Sequence, residues 1–512
     1  MLQIKNLNIT HQKDLRTIIK DFSITLNDGD KAAVIGEEGN GKSTLLKLIY
    51  DENLVADYAD YSGQIMKKGL IIGYLAQELS AEDKEKTAYE FCSKESSFFD
   101  ISPKELSRIC SELNIDIEML YSDQKLKSFS GGEKVKLQIA CLMIKNPDVL
   151  LLDEPSNDID IDTLKWLEKF INKTNVPIMY ISHDEVLLEN TANIIVHLEQ
   201  LQRKRVTRYT VKKSGYTDYV TERLRLFEHQ AQVAKNERNE YEKQQEKFRQ
   251  IQQKVEHQQN NISRGDPHGG KLLKKKMHSI KSQEKRFEKQ YENFTEIPES
   301  EDAIFIKFSD NIEMPNGKTV LDYEKDKLMV DERVLSENIK LTIMGPQKVC
   351  IIGKNGAGKT TLIKDIYSKM TQRKDIKVFY MPQNYEDLLN FDETPIEFLS
   401  ETYDKEENVR ICTFLGSLRY TIEEMNHKIS ELSGGQKAKL LFLKMTMKGY
   451  DVLILDEPTR NFSPLSNPVI RKILKNFKGA IISVSHDRKY IKEVCTKVYE
   501  LNENGIKTTD ID

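Results

Sequence analysis

The chain has 512 residues, too many for one hydrophobic core, since single cores stop growing near ~250–300 residues. At 38% hydrophobic and 31% charged residues it reads as a water-soluble multidomain protein, and no apolar run approaches the ~18 residues that would make a membrane span. The net charge of −4 hides a polarity, because residues 201–300 are net +9 and the remainder net −13, a basic arm on an acidic body that fits contact with a polyanion in one place.

In chain order, residues 1–7 alternate apolar and polar side chains and predict a short strand. Ala32-Ala33-Val34-Ile35 reads as a buried strand leading into Gly36-Glu37-Glu38-Gly39-Asn40-Gly41-Lys42-Ser43, a G-x-x-x-x-G-K-S loop that opens a helix at Thr44. In such a loop the glycines let backbone N–H groups curl around phosphate oxygens, and the helix N-terminus adds a favourable dipole. Lys42 then reaches the β- and γ-phosphates, and the Ser43 hydroxyl holds Mg²⁺. A polar, Tyr-rich piece near 51–63 suggests a small surface arm. Gln77 follows, then Ser130-Gly131-Gly132-Glu133 at a helix start, offering N–H groups to a second phosphate group. Val149-Leu150-Leu151-Leu152-Asp153-Glu154 is a buried strand ending in two acids. Asp153 is placed to hold Mg²⁺, and Glu154 to orient or deprotonate an attacking water. His183 closes the series.

The basic stretch is helical. Phe227, Ala234, Tyr241, Phe248 and Val255 recur every seven residues, with Leu224, Ala231 and Ile251 beside them, as an apolar seam. Asn260 to Gly270, with Pro267 and three glycines, interrupts it. A second seam of Leu273, Met277, Ile280, Phe287, Tyr291 and Phe294 follows, so the stretch predicts an antiparallel hairpin with its tip near 259–272. Around that tip cluster Arg264, Lys271, Lys274, Lys275, Lys276, Lys281, Lys285 and Arg286, candidate contacts for RNA phosphates.

Everything chemical in the first 200 residues then recurs. Gly353-Lys354-Asn355-Gly356-Ala357-Gly358-Lys359-Thr360, followed by Thr361, is a second phosphate loop; Gln383, Ser433-Gly434-Gly435-Gln436, Asp456-Glu457 and His486 follow in the same order. The expected class is α/β, with two tandem P-loop domains (1–200 and 301–512) joined by a helical hairpin (201–300).

This doubled constellation resembles the ATP-binding cassette family, in which two cassettes pack head to tail and clamp each ATP between one P-loop and the other half's signature. The resemblance implies one site of residues 36–44 with Gln77, Asp153, Glu154 and His183 against Ser433, Gly434, Gly435 and Gln436. The other would join residues 353–361, Gln383, Asp456, Glu457 and His486 to Ser130, Gly131, Gly132 and Glu133. Gln77 and Gln383 join Ser43, Asp153, Thr360 and Asp456 around Mg²⁺, and the histidines assist the catalytic glutamates. A fused pair with a charged helical hairpin and no membrane spans is similar to the ABC-F subfamily, which acts on ribosomes. The passages Asp266-Pro267-His268-Gly269-Gly270-Lys271 and Thr459-Arg460-Asn461-Phe462-Ser463-Pro464 resemble its antibiotic-resistance members of Lsa, Vga and CplR type. That resemblance implies ribosome protection from peptidyl-transferase-centre drugs, with rRNA, the P-site tRNA and the exit-site region as contacts. It also implies no membrane, no obligate protein subunit and a monomer with an intramolecular cassette pair. A housekeeping ABC-F translation factor, the ATPase subunit of a drug exporter and a DNA-acting ATPase stay open as rivals. Six cysteines (Cys92, Cys110, Cys141, Cys350, Cys412, Cys495) without ligand spacing predict no disulfide or zinc framework and a cytoplasmic setting.

Overall fold

The computed structural model describes residues 1–94, 96–201, 206–261, 267–290, 308, 313–330, 332–402, 404–418 and 420–509. It divides into two compact units, Met1–Tyr216 with Glu301–Asp512, and Thr217–Ser300.

In the first unit each half of the chain builds the same sheet. Strands β1 (Leu2–His11), β2 (Thr17–Leu26) and β4 (Ala59–Met66) form an antiparallel layer in the order β2-β1-β4. Strands β3 (Lys31–Ile35), β5 (Ile72–Leu75), β6 (Val149–Asp153), β7 (Ile178–Ile181), β8 (Ile194–Leu201) and β9 (Val206–Lys212) form a second sheet in the order β5-β6-β7-β3-β8-β9. Its central strands are parallel and wholly buried, which explains their unbroken apolar runs. The second half repeats this order as β13-β14-β15-β12-β16-β17, with β12 at Lys348–Ile352, β13 at Val378–Met381, β14 at Val452–Asp456, β15 at Ala480–Val484, β16 at Lys497–Asn502 and β17 at Gly505–Thr509. Its antiparallel layer is the pair β10 (Thr319–Val330) and β11 (Arg333–Met344). In both halves Leu, Ile and Val from the sheet and from the helix after the phosphate loop fill the core between the layers.

In residues 51–63 a turn of 3₁₀ helix at Glu52–Leu54 leads into the mostly exposed strand β4, which pairs with β1. One expectation changes. Cys92 and Cys141, 49 positions apart, are joined as a disulfide, a pairing that follows from the packing of two helices and leaves no trace in local spacing.

The second unit is a helical hairpin. Its first helix, Tyr216–Asn260, has 45 residues and at 1.5 Å each is roughly 68 Å long. The second, Pro267–Gln290, starts earlier than expected and carries Gly269 and Gly270 in its first turn, because proline is tolerated at a helix start where its missing N–H has no intrahelical partner. Ala234, Val255, Ile280 and Phe287 are buried along the seam, Phe287 stacks on Tyr241 with ring centroids 5.4 Å apart, and it packs against Phe248 at 5.7 Å. Leu224 and Ile251 are exposed instead. Lys271, Lys274, Lys275, Lys276, Lys281, Lys285 and Arg286 are all exposed on the second helix; Arg264, Tyr291 and Phe294 lie outside the described residues.

Candidate functional site

Both phosphate loops leave the C-terminal end of the central strand, β3 or β12, where the strand order reverses and open α/β sheets place their ligands. Their glycines are required by backbone and space. Gly36 has φ +145°, and a Cβ there would sit 2.3 Å from the Leu198 carbonyl oxygen; Gly353 has φ +152° and would meet the Leu501 oxygen at 2.5 Å. Gly36→Ala is therefore expected to distort the loop and abolish nucleotide binding by the first half, at a strain cost of about 1–3 kcal/mol; mant-nucleotide titration alongside thermal unfolding reads both effects. Lys42 Nζ donates to the Gly36 and Glu37 carbonyls at 2.8 and 3.0 Å, and Lys359 Nζ to those of Gly353 and Lys354 at the same distances. Each ammonium is thus held over its own loop. Asn40 closes the first loop from behind by donating to the Leu198 carbonyl at 2.9 Å.

At the ends of β6 and β14 the acid pairs are buried. Ser43 Oγ donates to Asp153 Oδ1 at 2.9 Å, and Thr360 helps hold Asp456 in the same way. Burial, reinforced by the charge of Glu154, pushes the Asp153 carboxyl up; burial likewise raises that of Asp456. Asp456 Oδ2 is buried without a hydrogen-bond partner. A hydroxyl beside an under-satisfied carboxylate fits Mg²⁺, which takes one or two protein oxygens and fills its octahedron from phosphates and water. Among the described residues no cluster of three or more His, Cys, Asp or Glu offers an all-protein cage.

Glu154 and Glu457 both adopt left-handed backbone, φ 51° and 53°, conformations that non-glycine residues keep mainly where function holds them. Their surroundings differ. His183 Nε2 lies 2.9 Å from Glu154; burial disfavours charge on both, yet their attraction wins, so the Glu154 pKa falls and the His183 pKa rises. His486 is 3.8 Å from Glu457. There burial and the neighbouring Asp456 push Glu457 up to about 8, while burial and Lys359 hold His486 down to about 4. One half has an ion pair poised over the site, the other a neutral acid and a neutral imidazole.

Ser130 and Ser433 each cap a helix, Gly131–Ile144 and Gly434–Met447, in capping boxes with Glu133 and Gln436. Ser130, Gly131, Gly132 and Glu133 line one cavity of about 2210 Å³ with Lys354, Asn355, Gly356, Gly358, Lys359, Thr360, Thr361, Gln383, Asp456, Glu457 and His486. A smaller cavity of about 390 Å³ collects Glu38, Gly39, Gly41, Lys42, Ser43, Thr44, Gln77, Glu154 and His183, but not the signature residues 433–436. Instead Glu38 lies against that signature: a Cβ on Gly434 or Gly435 would lie within 2.9 Å of a Glu38 carboxylate oxygen. Ala357 sits in the second loop, where its N–H donates to the Lys354 carbonyl at 3.2 Å.

Several residues at this boundary carry no local signal. Asp158 receives both Arg460 Nη atoms at 2.7 and 3.0 Å and the Gln383 amide at 3.1 Å, while its carbonyl accepts from Asn355 at 2.6 Å. So Gln383 is engaged across the boundary. Nδ1 of His183 is 2.8 Å from the Phe462 carbonyl of the other half. Arg460 belongs to the passage 459–464 quoted above, but nothing local gives it Asp158 as a partner. His11, Arg16 and Tyr58 line the small cavity beside the loop; nothing in their spacing marks them.

The ABC transporter family model matches residues 19–157 and 336–460. ABC transporter F family member 2 of Arabidopsis thaliana is 28% identical over 98% of this chain and 76% of its own length. Ribosome protection protein VmlR of Bacillus subtilis is 28% identical over 98% of this chain and 87% of its own. Among solved structures, the archaeal ribosome recycling factor aABCE1, in complex with the stalk protein aP1, superposes with a TM-score of 0.60 at 16% identity over 98% of this chain and 89% of that one, a likeness of fold.

Proposed function

The chain belongs to the ABC transporter family of ATP-binding cassette proteins, its full-length relatives being F-branch members, and from that premise we propose that this ATPase works on the ribosome. ATP binds at two composite sites between the halves. Ser43 with Asp153, and Thr360 with Asp456, would hold Mg²⁺, which would supply positive charge to neutralise the phosphates. Lys42 and Lys359 contact the β- and γ-phosphates, and Glu154 and Glu457 take a proton from water as it attacks, with His183 and His486 orienting them. Closure around ATP draws the halves together and hydrolysis releases them.

The observation that carries the ribosomal reading is the exposed row of Lys271, Lys274, Lys275, Lys276, Lys281, Lys285 and Arg286 on a long hairpin that follows the first cassette and precedes the second in sequence. Folded RNA presents closely spaced phosphates and is gripped through charge and shape more than sequence. Similarity to a ribosome protection protein over nearly the whole chain supports the finer reading. In it the hairpin reaches the P-site tRNA and displaces lincosamide, pleuromutilin and streptogramin A drugs from the cytoplasmic ribosome. Among the described residues no helix is long and apolar enough to cross a membrane, so an exporter role would need a separate membrane partner.

Sedimentation tests this. The protein is expected to travel with ribosomes in ATP, less so in ADP, and to be stripped by high salt. Replacing Lys271, Lys274, Lys275 and Lys276 by Gln should weaken binding and flatten the plot of log affinity against log salt by about 3, at roughly 0.7–0.9 per lost phosphate contact. Protein that binds ATP yet floats free of ribosomes would sink the reading. Drug susceptibility of cells with and without the gene then separates protection from a housekeeping role.

A further inference from the structure

Each cassette carries a stacked pair of tyrosines beside the aspartate that ends β6 or β14. Tyr50 stands seven residues after Ser43 and Tyr367 seven after Thr360, while Tyr74 and Tyr380 stand three before Gln77 and Gln383. Tyr50 closes helix Lys42–Tyr50, and its ring stacks on Tyr74 of β5 with centroids 5.1 Å apart and 27° between the planes. Tyr367, in helix Lys359–Met370, stacks on Tyr380 of β13 at 5.0 Å and 26°. Strand register then sets what the inner ring faces. Tyr74 pairs with Leu151 and Tyr380 with Ile454, each two positions short of the aspartate, and residues two apart on a strand share a face. Each inner tyrosine therefore shares a sheet face with its aspartate.

In the first cassette the contact is made. The Tyr74 hydroxyl donates to Asp153 Oδ2 at 3.3 Å, while Ser43 Oγ donates to the other oxygen, Oδ1, at 2.9 Å. One carboxylate is thus divided between β5 and the phosphate loop. In the second cassette the Tyr380 hydroxyl and Asp456 Oδ2 are both buried, and neither has a hydrogen-bond partner. Phenylalanine would fill the same space and make the same stack without burying a hydroxyl. A buried hydroxyl left unpaired is costly, so packing alone gives no reason for it.

We propose that Tyr74 and Tyr380 are positioning residues for the two Mg²⁺ sites, each phenol fixing the Oδ2 side of its aspartate so that the other carboxylate oxygen and the hydroxyl of Ser43 or Thr360 face the ion. The inference deepens the ATPase reading and rests on its assignment of Asp153 and Asp456. Tyr74 makes its bond in advance; Tyr380 and Asp456 Oδ2 each keep one unmet hydrogen bond that a loaded site would complete. Mg²⁺ demands a near-ideal octahedron, so a carboxylate free to rotate is a poorer partner for it, and the outer tyrosines limit the swing of the inner rings.

Titration of Mg²⁺ into the full chain with mant-AMP-PNP, a triphosphate analogue that is not hydrolysed, reads this directly. Lys359→Ala leaves the first site to be measured, and Lys42→Ala the second. Tyr74→Phe at the first site and Tyr380→Phe at the second are each expected to raise the half-saturating Mg²⁺ about tenfold, the lower end of what partners behind a metal ligand contribute. Affinity for the analogue in excess EDTA should move less than about twofold. With Asp153→Ala already present, Tyr74→Phe should have almost no further effect, because a residue that acts through a carboxylate is silent without it. Metal-free Tyr380→Phe should melt at the temperature of its parent or above, having lost an unpaired buried hydroxyl. A Mg²⁺ requirement that either substitution leaves unchanged would overturn the proposal for that cassette, as would an equal loss of affinity in Mg²⁺ and in EDTA. If the parent chains bind the analogue equally well with and without Mg²⁺, the metal assignment itself falls, and with it the reading beneath.

Discussion

The double variant Glu154→Gln, Glu457→Gln is expected to lose ATP turnover by about 10²–10⁴-fold while still binding ATP, the usual weight of a general base. Glutamine keeps the volume of each side chain and its place at the end of β6 or β14, so the loops and Lys42 and Lys359 are undisturbed. What it removes is the acceptor for a water proton. The single variants should differ in pH dependence. Glu154 is kept ionised by His183, so turnover through it is flat across neutral pH. Glu457 is pushed up to about 8; a carboxyl is ionised only above its pKa, so turnover that survives in Glu154→Gln should rise as pH passes through about 8. Phosphate release measured from pH 6 to 9 reads both. Turnover that is unchanged in the double variant would remove these carboxylates from the chemistry. Trapped in ATP, the same variant is the form to sediment with ribosomes.

Replacing Arg471 by Ala should cost about 3–5 kcal/mol, the toll of leaving a buried charge without its partner. Arg471 sits on helix Asn467–Lys475 of the second half with its side chain 3% exposed, and it makes a two-pronged ion pair with Glu185 of the first half, itself 4% exposed. Arg471 Nε also donates to Glu493 at 2.9 Å. Lys489 remains 3.1 Å from Glu185 after the change, which places the loss toward the lower end. Beside it Arg488 bonds Glu168 and Asp184 across the same boundary at 2.5 and 3.0 Å. These pairs join helices that flank the two histidines across the boundary, so their rupture should open the cassette pair first and unfold the cassettes afterwards. Urea denaturation should show an early transition in Arg471→Ala. Arg471→Met with Glu185→Leu should restore much of it, because an apolar pair of similar volume leaves no stranded charge. If the single and double variants melt together, the pair is not what holds this boundary.

Periodicity carried the hairpin because two helices packed on each other must repeat apolar residues every seven positions, and Ala234, Val255, Ile280 and Phe287 are buried at those places. It failed at Leu224 and Ile251, which stand beside that seam but are exposed; a period tells which face a residue is on and not how far the partner helix extends. The glycine pair after Pro267 read as a break because propensity is a local prior, and the helix start overrides it. The cysteine pair and the pairing of β4 were invisible for a plainer reason. Both depend on which neighbour the chain meets, Cys141 for Cys92 and β1 for β4.

By itself the sequence determined the two phosphate loops, the acids at the ends of β6 and β14, the signature turns and the order that repeats them. These elements depend on short-range rules: glycine where φ is positive, a Ser cap at a helix start, an apolar run ending in charge. Only the tertiary structure decided that the two composite sites differ. Glu37 lies 402 positions from Lys439 and 426 from Ser463, and Asp158 lies 302 from Arg460. Nothing local couples residues so far apart. Their charges and hydroxyls act on one another only because the folded halves bring them within hydrogen-bond reach, in surroundings that exclude enough water for the difference in site chemistry to persist.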